Sequence, residues 1–532
     1  MRHSRWLGQS LSDAPVPLGF ILLGVAALLP LALGDARTVG LARNTLWLAS
    51  ATAAISVPLG TLAAIFLVRT DLPGRGVCGL LLAGMLFVPL YLQTGAWQAA
   101  FGAQGWYTLA WSGPAWLEGF RGAVWIHSMA ALPWVVLFVA AGLRNVEREL
   151  EEQALLDGSL AQVFLRVTAR RALPAVGVAA LWVGVTTAGE MAVTDFFQIR
   201  TYAEELYTEV AVAPEPDQLP LTALPGIAVT AWVVVAALVL VAGLSPVVRE
   251  PSHAAPLVFP LGAARRPTVL AMALLVAVVV GVPLGSLAWK AGVLVTQTAD
   301  ERIRSWSPAK CVAMVAASPW EHAKEYRWSL VIGVLAALAA VMIAAPVSWL
   351  ARRGGWLALP ALALTVAALA VPGPVVGVVI VGLMDHPGRP WLNQLYDQSI
   401  AAVWLAQTWR ALPLPLLVLW QAWRGLSSDV LESAAVEGAG PLTRFFRIAL
   451  PQRWPAVAVA WLVAFAAALA EVDATFIVRP AGVETLSTWV FEQLHNGPED
   501  VVMGACLALF LGFQGFTVVV GFLARRWLRQ AH

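Results

Sequence analysis

Carboxylates at matching places near the ends of two apolar runs are the first candidates for chemistry: Glu190 with Asp195, and Glu471 with Asp473. A carboxylate held within a bilayer is costly, so its default reading is functional. Glu190, Glu471 and Asp473, set across a central passage, could line a path for a cation or a positively charged solute. The competing reading places them at the outer interface, hydrated or paired with Arg200 and Arg479. His127, beside Trp125, reads as an interhelical hydrogen-bonding group rather than a metal ligand. Cys78, Cys311 and Cys506 are far apart and form no CxxC, which argues against a metal cluster or a disulfide framework. No His/Asp/Glu/Cys group has catalytic spacing, so no catalytic residue, metal or cofactor is expected. A P-loop requires Gly-Lys-Ser/Thr, and the three lysines here, Lys290, Lys310 and Lys324, are followed by Ala291, Cys311 and Glu325.

A second constellation is mechanical rather than catalytic. NVERELEEQALLDGSLAQVFLRVTARRALPAV begins at Asn145, and SSDVLESAAVEGAGPLTRFFRIALPQRWPAV begins at Ser427. Both are too polar to cross lipid, and each reads as a short helix, a glycine turn and a second helix. Asp429 and Glu432 have the spacing of a capping box. Gly438 suits a helix C-terminus, and Pro441 suits the first turn of the next helix.

The elements that must hold these residues follow from composition. Of 532 residues 59% are hydrophobic and 12% charged, about half the charge of a soluble domain. The net charge of +2 comes without a basic stripe, so no nucleic-acid partner is expected. Runs of about 20 apolar residues suit helices crossing roughly 30 Å of hydrocarbon. They fall near 16–34, 43–68, 76–97, 121–143, 174–194 and 222–247, then 267–289, 327–351, 356–383, 399–423, 453–477 and 501–524. The expected fold is all-α and polytopic, with about twelve spans and the lipid bilayer as solvent. Pro89, Pro133, Pro346 and Pro413 fall inside these runs, where membrane helices tolerate proline. Trp97, Trp106, Trp111 and Trp116 read as an interfacial belt. Arginines mark alternate connections, among them Arg69 and Arg75, Arg144 to Arg171, Arg352 and Arg353, and Arg525 to Arg529. By the positive-inside rule both termini are cytoplasmic.

The halves repeat at an offset near 280. Ala131-Leu132-Pro133 recurs as Ala411-Leu412-Pro413, Glu152-Gln153-Ala154 with Gly158 as Glu432-Ser433-Ala434 with Gly438, and Gly189-Glu190 as Ala470-Glu471. This divides the chain into 1–250 and 251–532, six spans each, related by a pseudo-twofold axis, with elbows near 145–174 and 427–455.

The elbows resemble the EAA motif of binding-protein-dependent ABC importer permeases: Glu-Ala-Ala, three residues, Gly, nine residues, Ile-x-Leu-Pro. The second copy matches at Glu432, Ala434, Gly438, Ile448, Leu450 and Pro451, with Ser433 in place of the first alanine. The first matches at Glu152, Ala154 and Gly158, then departs, with Ala169-Arg170 where Leu450-Pro451 stand in the second. The wider chain is similar to fused, two-in-one permeases of the iron(III) type, through LARNTLWLA, LVRTDLPGR and ALAEVDATFIVRPAGVETLSTWVF. The resemblance implies a transport subunit of the bacterial inner membrane. Its partners would be two cytoplasmic ABC ATPase subunits, which hydrolyse ATP in its place, and an extracytoplasmic substrate-binding protein. Iron(III) is the implied solute, with thiamine, polyamine or phosphonate as alternatives. From another class, twelve spans in two halves also describe a gradient-driven secondary transporter.

Overall fold

A computed structural model describes residues 36–212, 223–224, 226–235, 256–297, 302–385 and 388–530. Within them six helices are long and apolar enough to cross a bilayer: Ala36–Arg69, Gly119–Arg144, Leu160–Ala188, Gly262–Gly292, Ala323–Ala351 and Glu499–Phe522. Four bent helix pairs pass the same test, raising the number to ten if each pair is one span. The protein is therefore all-α and polytopic, as its apolar runs predict. The expected span at 16–34 lies outside the described residues, and that at 222–247 is described chiefly as the apolar helix Gly226–Val235.

Four of the expected helices are not straight. Arg75–Met85 and Leu90–Trp111 meet at 107°, and Gly355–Ala370 and Gly373–Met384 at 105°. Each break carries a proline, Pro89 and Pro372, which disfavours helical backbone in the residue before it. A broken helix frees carbonyls that lipid cannot satisfy. Gln93 Nε2 donates to Val88 O at 3.1 Å in the first break, and Arg410 Nη1 donates to Val371 O at 3.4 Å in the second. Milder breaks separate Ala401–Ala411 from Pro413–Arg424, at 46°, and Pro441–Gln452 from Trp454–Ala470, at 79°. The Arg453 guanidinium there donates to Gly425 O. Pro133 and Pro346, by contrast, sit inside continuous helices.

The helices gather into two compact units that do not follow the sequence halves. One comprises 44–204, 254–329 and 484–532; the other 1–43, 205–253 and 330–483. In the first unit, Gly262–Gly292 and Glu499–Gln530 pack on each other and on Arg75–Met85 and Leu90–Phe101. Small residues permit close approach: a Cβ on Gly142 would stand 2.3 Å from Ala175 Cβ, and one on Gly504 2.8 Å from Met314 Cβ. An antiparallel hairpin, Val293–Gln297 with Arg302–Trp306, departs from the all-helical expectation and pairs Val293 with Trp306. Lys310 Nζ binds both Val293 O and Asp500 Oδ2 at 2.7 Å, tying this insertion to Glu499–Gln530. Trp97 corrects the expected tryptophan belt. It is 1% exposed and meets Trp125 edge-on at 5.3 Å, so it is a core residue, whereas Trp111 is 73% exposed.

In the second unit an alanine seam, Ala336, Ala337, Ala340 and Ala344 against Ala460, Ala464 and Ala468, brings Ala323–Ala351 close to Trp454–Ala470. Its foot is aromatic: Trp349, Trp423 and Phe445 lie with centroids 5.5–5.9 Å apart. Buried Trp423 Nε1 donates to Ser348 Oγ at 2.9 Å. Trp423→Phe removes that bond and part of the ring volume and should cost about 1–3 kcal/mol, while Trp423→Ala opens a larger cavity and should cost about 3–5 kcal/mol. Unfolding of the detergent-solubilised variants measures the difference.

Candidate functional site

Each elbow begins with a short helix after a long one. The first is Arg148–Asp157, following Gly119–Arg144; the second is Ser428–Val436, following Pro413–Arg424. Glu152 and Glu432 are exposed on these helices, and Ala154 and Ala434 are half-buried. Glu152 accepts from Arg148 Nε at 2.7 Å, one turn back. Beyond the glycine each chain re-enters through a widened π-helical turn, Phe164–Thr168 in the first and Arg444–Ala449 in the second. Such turns recur at functional sites.

The two glycines act differently. Gly438 has φ of +86°, with its N–H bonded to Ala435 O at 3.0 Å and the Ala439 N–H to Ala434 O at 2.8 Å. That pair of bonds is a Schellman termination, which a left-handed glycine makes possible. Gly158 is extended, at φ −150°, so the expected permissive-backbone bend holds at Gly438 only. In the first elbow Ser159 restarts the helix instead, through a capping box with Gln162. The capping box expected of Asp429 and Glu432 does not form. Ser427 is the N-cap and makes no side-chain cap bond, while Ser433 Oγ donates to Asp429 O at 2.7 Å. Pro441 opens Pro441–Thr443 as its type predicts, and exposed Pro451 lies just before the 79° break.

Sequence reasoning passed over two features of the elbows. One is an apolar knob at the same repeat position in each: Leu156 is 86% exposed and Val436 90% exposed. Their signal was a large apolar residue two places before each glycine. The other is a buried ion pair under the first elbow. Arg69, fully buried at the end of Ala36–Arg69, donates from Nη1 to Glu151 Oε2 at 2.9 Å and from Nη2 to Leu143 O at 2.5 Å. Glu151 Oε1 accepts from Thr168 Oγ1 at 2.6 Å. Removing one partner of such a pair strands a buried charge, at about 3–5 kcal/mol.

The carboxylates share one geometry. Glu190 accepts from Val193 N on both oxygens at 3.1 Å, capping the helix Ala192–Phe196. Glu471 accepts from Ala474 N at 2.8 Å and Thr475 N at 2.9 Å, and from Thr475 Oγ1 at 2.5 Å, capping Asp473–Val478. An acid is favourable at a helix N-terminus. At the repeat offset, His127 corresponds to Gln407. His127 Nε2 lies 3.4 Å from Glu190 Oε2, and Gln407 Nε2 3.4 Å from Thr475 Oγ1. Asp473 is buried against Gly373, where a Cβ would stand 2.3 Å from its own Cβ. The guanidinium of Arg479 lies over the Phe476 ring at 4.4 Å. In the acidic segment after these helices, Glu205 is buried and paired with Arg37. No group of three or more His, Cys, Asp or Glu could hold a metal among the described residues.

Apolar helices of bilayer length, several of them broken, define a multi-pass membrane protein. Residues 327–528 match the family described as the binding-protein-dependent transport system inner membrane component. The chain is 23% identical over 486 residues, 91% of itself and 89% of the relative, to the Fe(3+)-transport system permease protein of Haemophilus influenzae. It is 32% identical over 128 residues to the putrescine transport system permease protein of Escherichia coli, a match covering 24% of this chain and 44% of that one. It is 26% identical over 135 residues to the sulfoquinovosyl glycerol transport system permease protein of Agrobacterium fabrum, covering 25% and 44%. The family match thus falls on the second sequence half, and the similarity to the Haemophilus influenzae permease runs over most of the chain.

The glycines separate by test. Gly438→Ala puts a Cβ into left-handed backbone, at a cost of roughly 1–2 kcal/mol. Gly158→Ala meets only the flexible Gln162 Oε1, at 3.1 Å, and Ala154 O at 3.4 Å. Limited proteolysis should open the second elbow in the former and leave the first intact in the latter.

Proposed function

We propose that the protein is the transmembrane subunit of an ATP-driven solute importer, and that ATP is hydrolysed on separate cytoplasmic ATPase subunits, one docked on each elbow. The observation that carries this reading is the pair of repeat-matched elbow helices, each presenting an apolar knob, Leu156 or Val436, with an exposed carboxylate one turn earlier, Glu152 or Glu432. An exposed large apolar side chain is ordinary singly. Two at the same place in two copies of a motif fit a groove on a partner. Closure of the ATPases would push on elements rooted in membrane helices, a rigid-body switch. In this reading both termini and both elbows are cytoplasmic, and a binding protein delivers solute from the other side. The sequence halves 1–250 and 251–532 each supply one elbow.

Iron(III) is the proposed solute, on the similarity to the Haemophilus influenzae permease across most of the chain. The shorter putrescine-permease match favours a polyamine as the second reading. Glu190, Glu471 and Asp473 are the residues proposed to face the path. Glu190 and Glu471 are held in fixed orientation by the backbone N–H groups they accept, which favours a role as oriented acidic groups toward a cationic solute.

Reconstitution in proteoliposomes with the co-expressed ATPase and binding protein tests this. ATP-dependent uptake that ignores an imposed ion gradient is the expected result; gradient-driven uptake without the ATPase would mark a secondary transporter. Iron(III) and putrescine, each presented on the binding protein, should differ in the ATP hydrolysis they stimulate. Leu156→Asp with Val436→Asp should lower ATPase co-purification at least tenfold while leaving membrane insertion at the wild-type level.

A further inference from the structure

The ion pair under the first elbow has a counterpart in the second half, and it is apolar. At the repeat offset of 280, Arg69, Leu143 and Glu151 correspond to Trp349, Trp423 and Leu431; at 281, Phe164 and Thr168 correspond to Phe445 and Ala449. Trp349, Trp423, Phe445 and Ala449 are buried in one cluster, with Leu431 packed against it. The same joint is thus built twice from different chemistry. In the first half a guanidinium fork joins the end of Ala36–Arg69, the end of Gly119–Arg144, and the elbow helix. In the second half aromatic rings meet edge to face.

The first joint also reaches the segment between the two sequence halves. Arg69 Nη1 donates to Leu257 O at 3.2 Å, and Arg69 O accepts from Phe259 N at 2.7 Å. Leu261 N donates to Asp71 Oδ1 at 2.8 Å, and the Phe259 ring meets Phe164, in the elbow's π turn, edge-on at 5.3 Å. This segment leads directly into Gly262–Gly292. One buried side chain therefore connects the first elbow to the first membrane helix of the second half.

We propose that Arg69 and Glu151 are positioning residues that key the first elbow to that linker, so that the two elbows are mechanically unequal. A forked guanidinium holds carboxylate and carbonyl partners in one geometry, and a slip leaves buried charge unpaired. Aromatic rings carry no charge that a slip would strand; the one directional bond in this joint is the neutral one from Trp423 Nε1 to Ser348 Oγ, and the rest is non-directional burial. The first elbow transmits movement in a single register to the helix that opens the second half. The second elbow tolerates adjustment.

This inference rests on the elbows being the docking points of an ATPase, and the test separates the two. Arg69→Met with Glu151→Leu copies the apolar joint of the second half and leaves no buried charge. Arg69→Lys keeps the charge and loses the fork. Each variant is co-expressed with the ATPase and binding protein, and solute transported per ATP hydrolysed is measured in proteoliposomes alongside ATPase co-purification. Both variants should bring down the ATPase at wild-type yield, yet transport at least tenfold less solute per ATP. A simple stability role would lower yield and leave that ratio unchanged. A wild-type ratio in either variant that assembles overturns the proposal, as does failure of both to assemble. Failure of the wild-type chain to retain the ATPase would instead remove the docking reading.

Discussion

Every backbone polar group that a membrane helix frees must find a partner inside the protein, because hydrocarbon supplies none. The structure is organised around the places where that requirement is hardest to meet. Spans that break at Pro89 and Pro372 return their freed carbonyls to Gln93 and Arg410. The short helices after Glu190 and Glu471 start on unpaired N–H groups, and the carboxylates accept them. The end of Gly119–Arg144 hands its Leu143 carbonyl to Arg69. Polar residues that looked like candidates for solute chemistry therefore also hold irregular backbone in place.

A carboxylate that caps a helix is fixed in direction, since several N–H groups orient it at once. Loss of a cap would then disturb the helix behind it. At positions 280 residues apart, His127 faces Glu190 and Gln407 faces Thr475, so matched places in the sequence carry different chemistry. The elbow joints show this again, with an ion pair in one and tryptophans in the other.

Within one compact unit, packing joins segments from both sequence halves. Because Gly262–Gly292 and Glu499–Gln530 lie in the same compact unit as residues 44–204, second-half helices cover first-half ones. The joint under the first elbow thus reaches beyond the sequence half that contains it. The linker contacts at Leu257, Phe259 and Leu261 run in the same direction.

Much of this was legible in the residues. Apolar runs of bilayer length announce all-α, multi-pass architecture because lipid admits little else, and two polar segments with matched acids and glycines announce the elbows. Gly438 was readable as a helix end because local backbone conformation is set by near neighbours. Gly158 was not, since whether a glycine is extended or left-handed depended on Ser159 capping the next turn. Only tertiary structure could show that Glu151 rather than Glu152 is the buried acid. The two are adjacent in sequence and about 100° apart around the helix, and the partner that selects between them, Arg69, lies 82 residues away. Hydropathy and spacing are local sums along the chain. The pairing of a buried charge, the sharpness of a bend and the helix that covers a given face are decided by atoms brought together from distant segments.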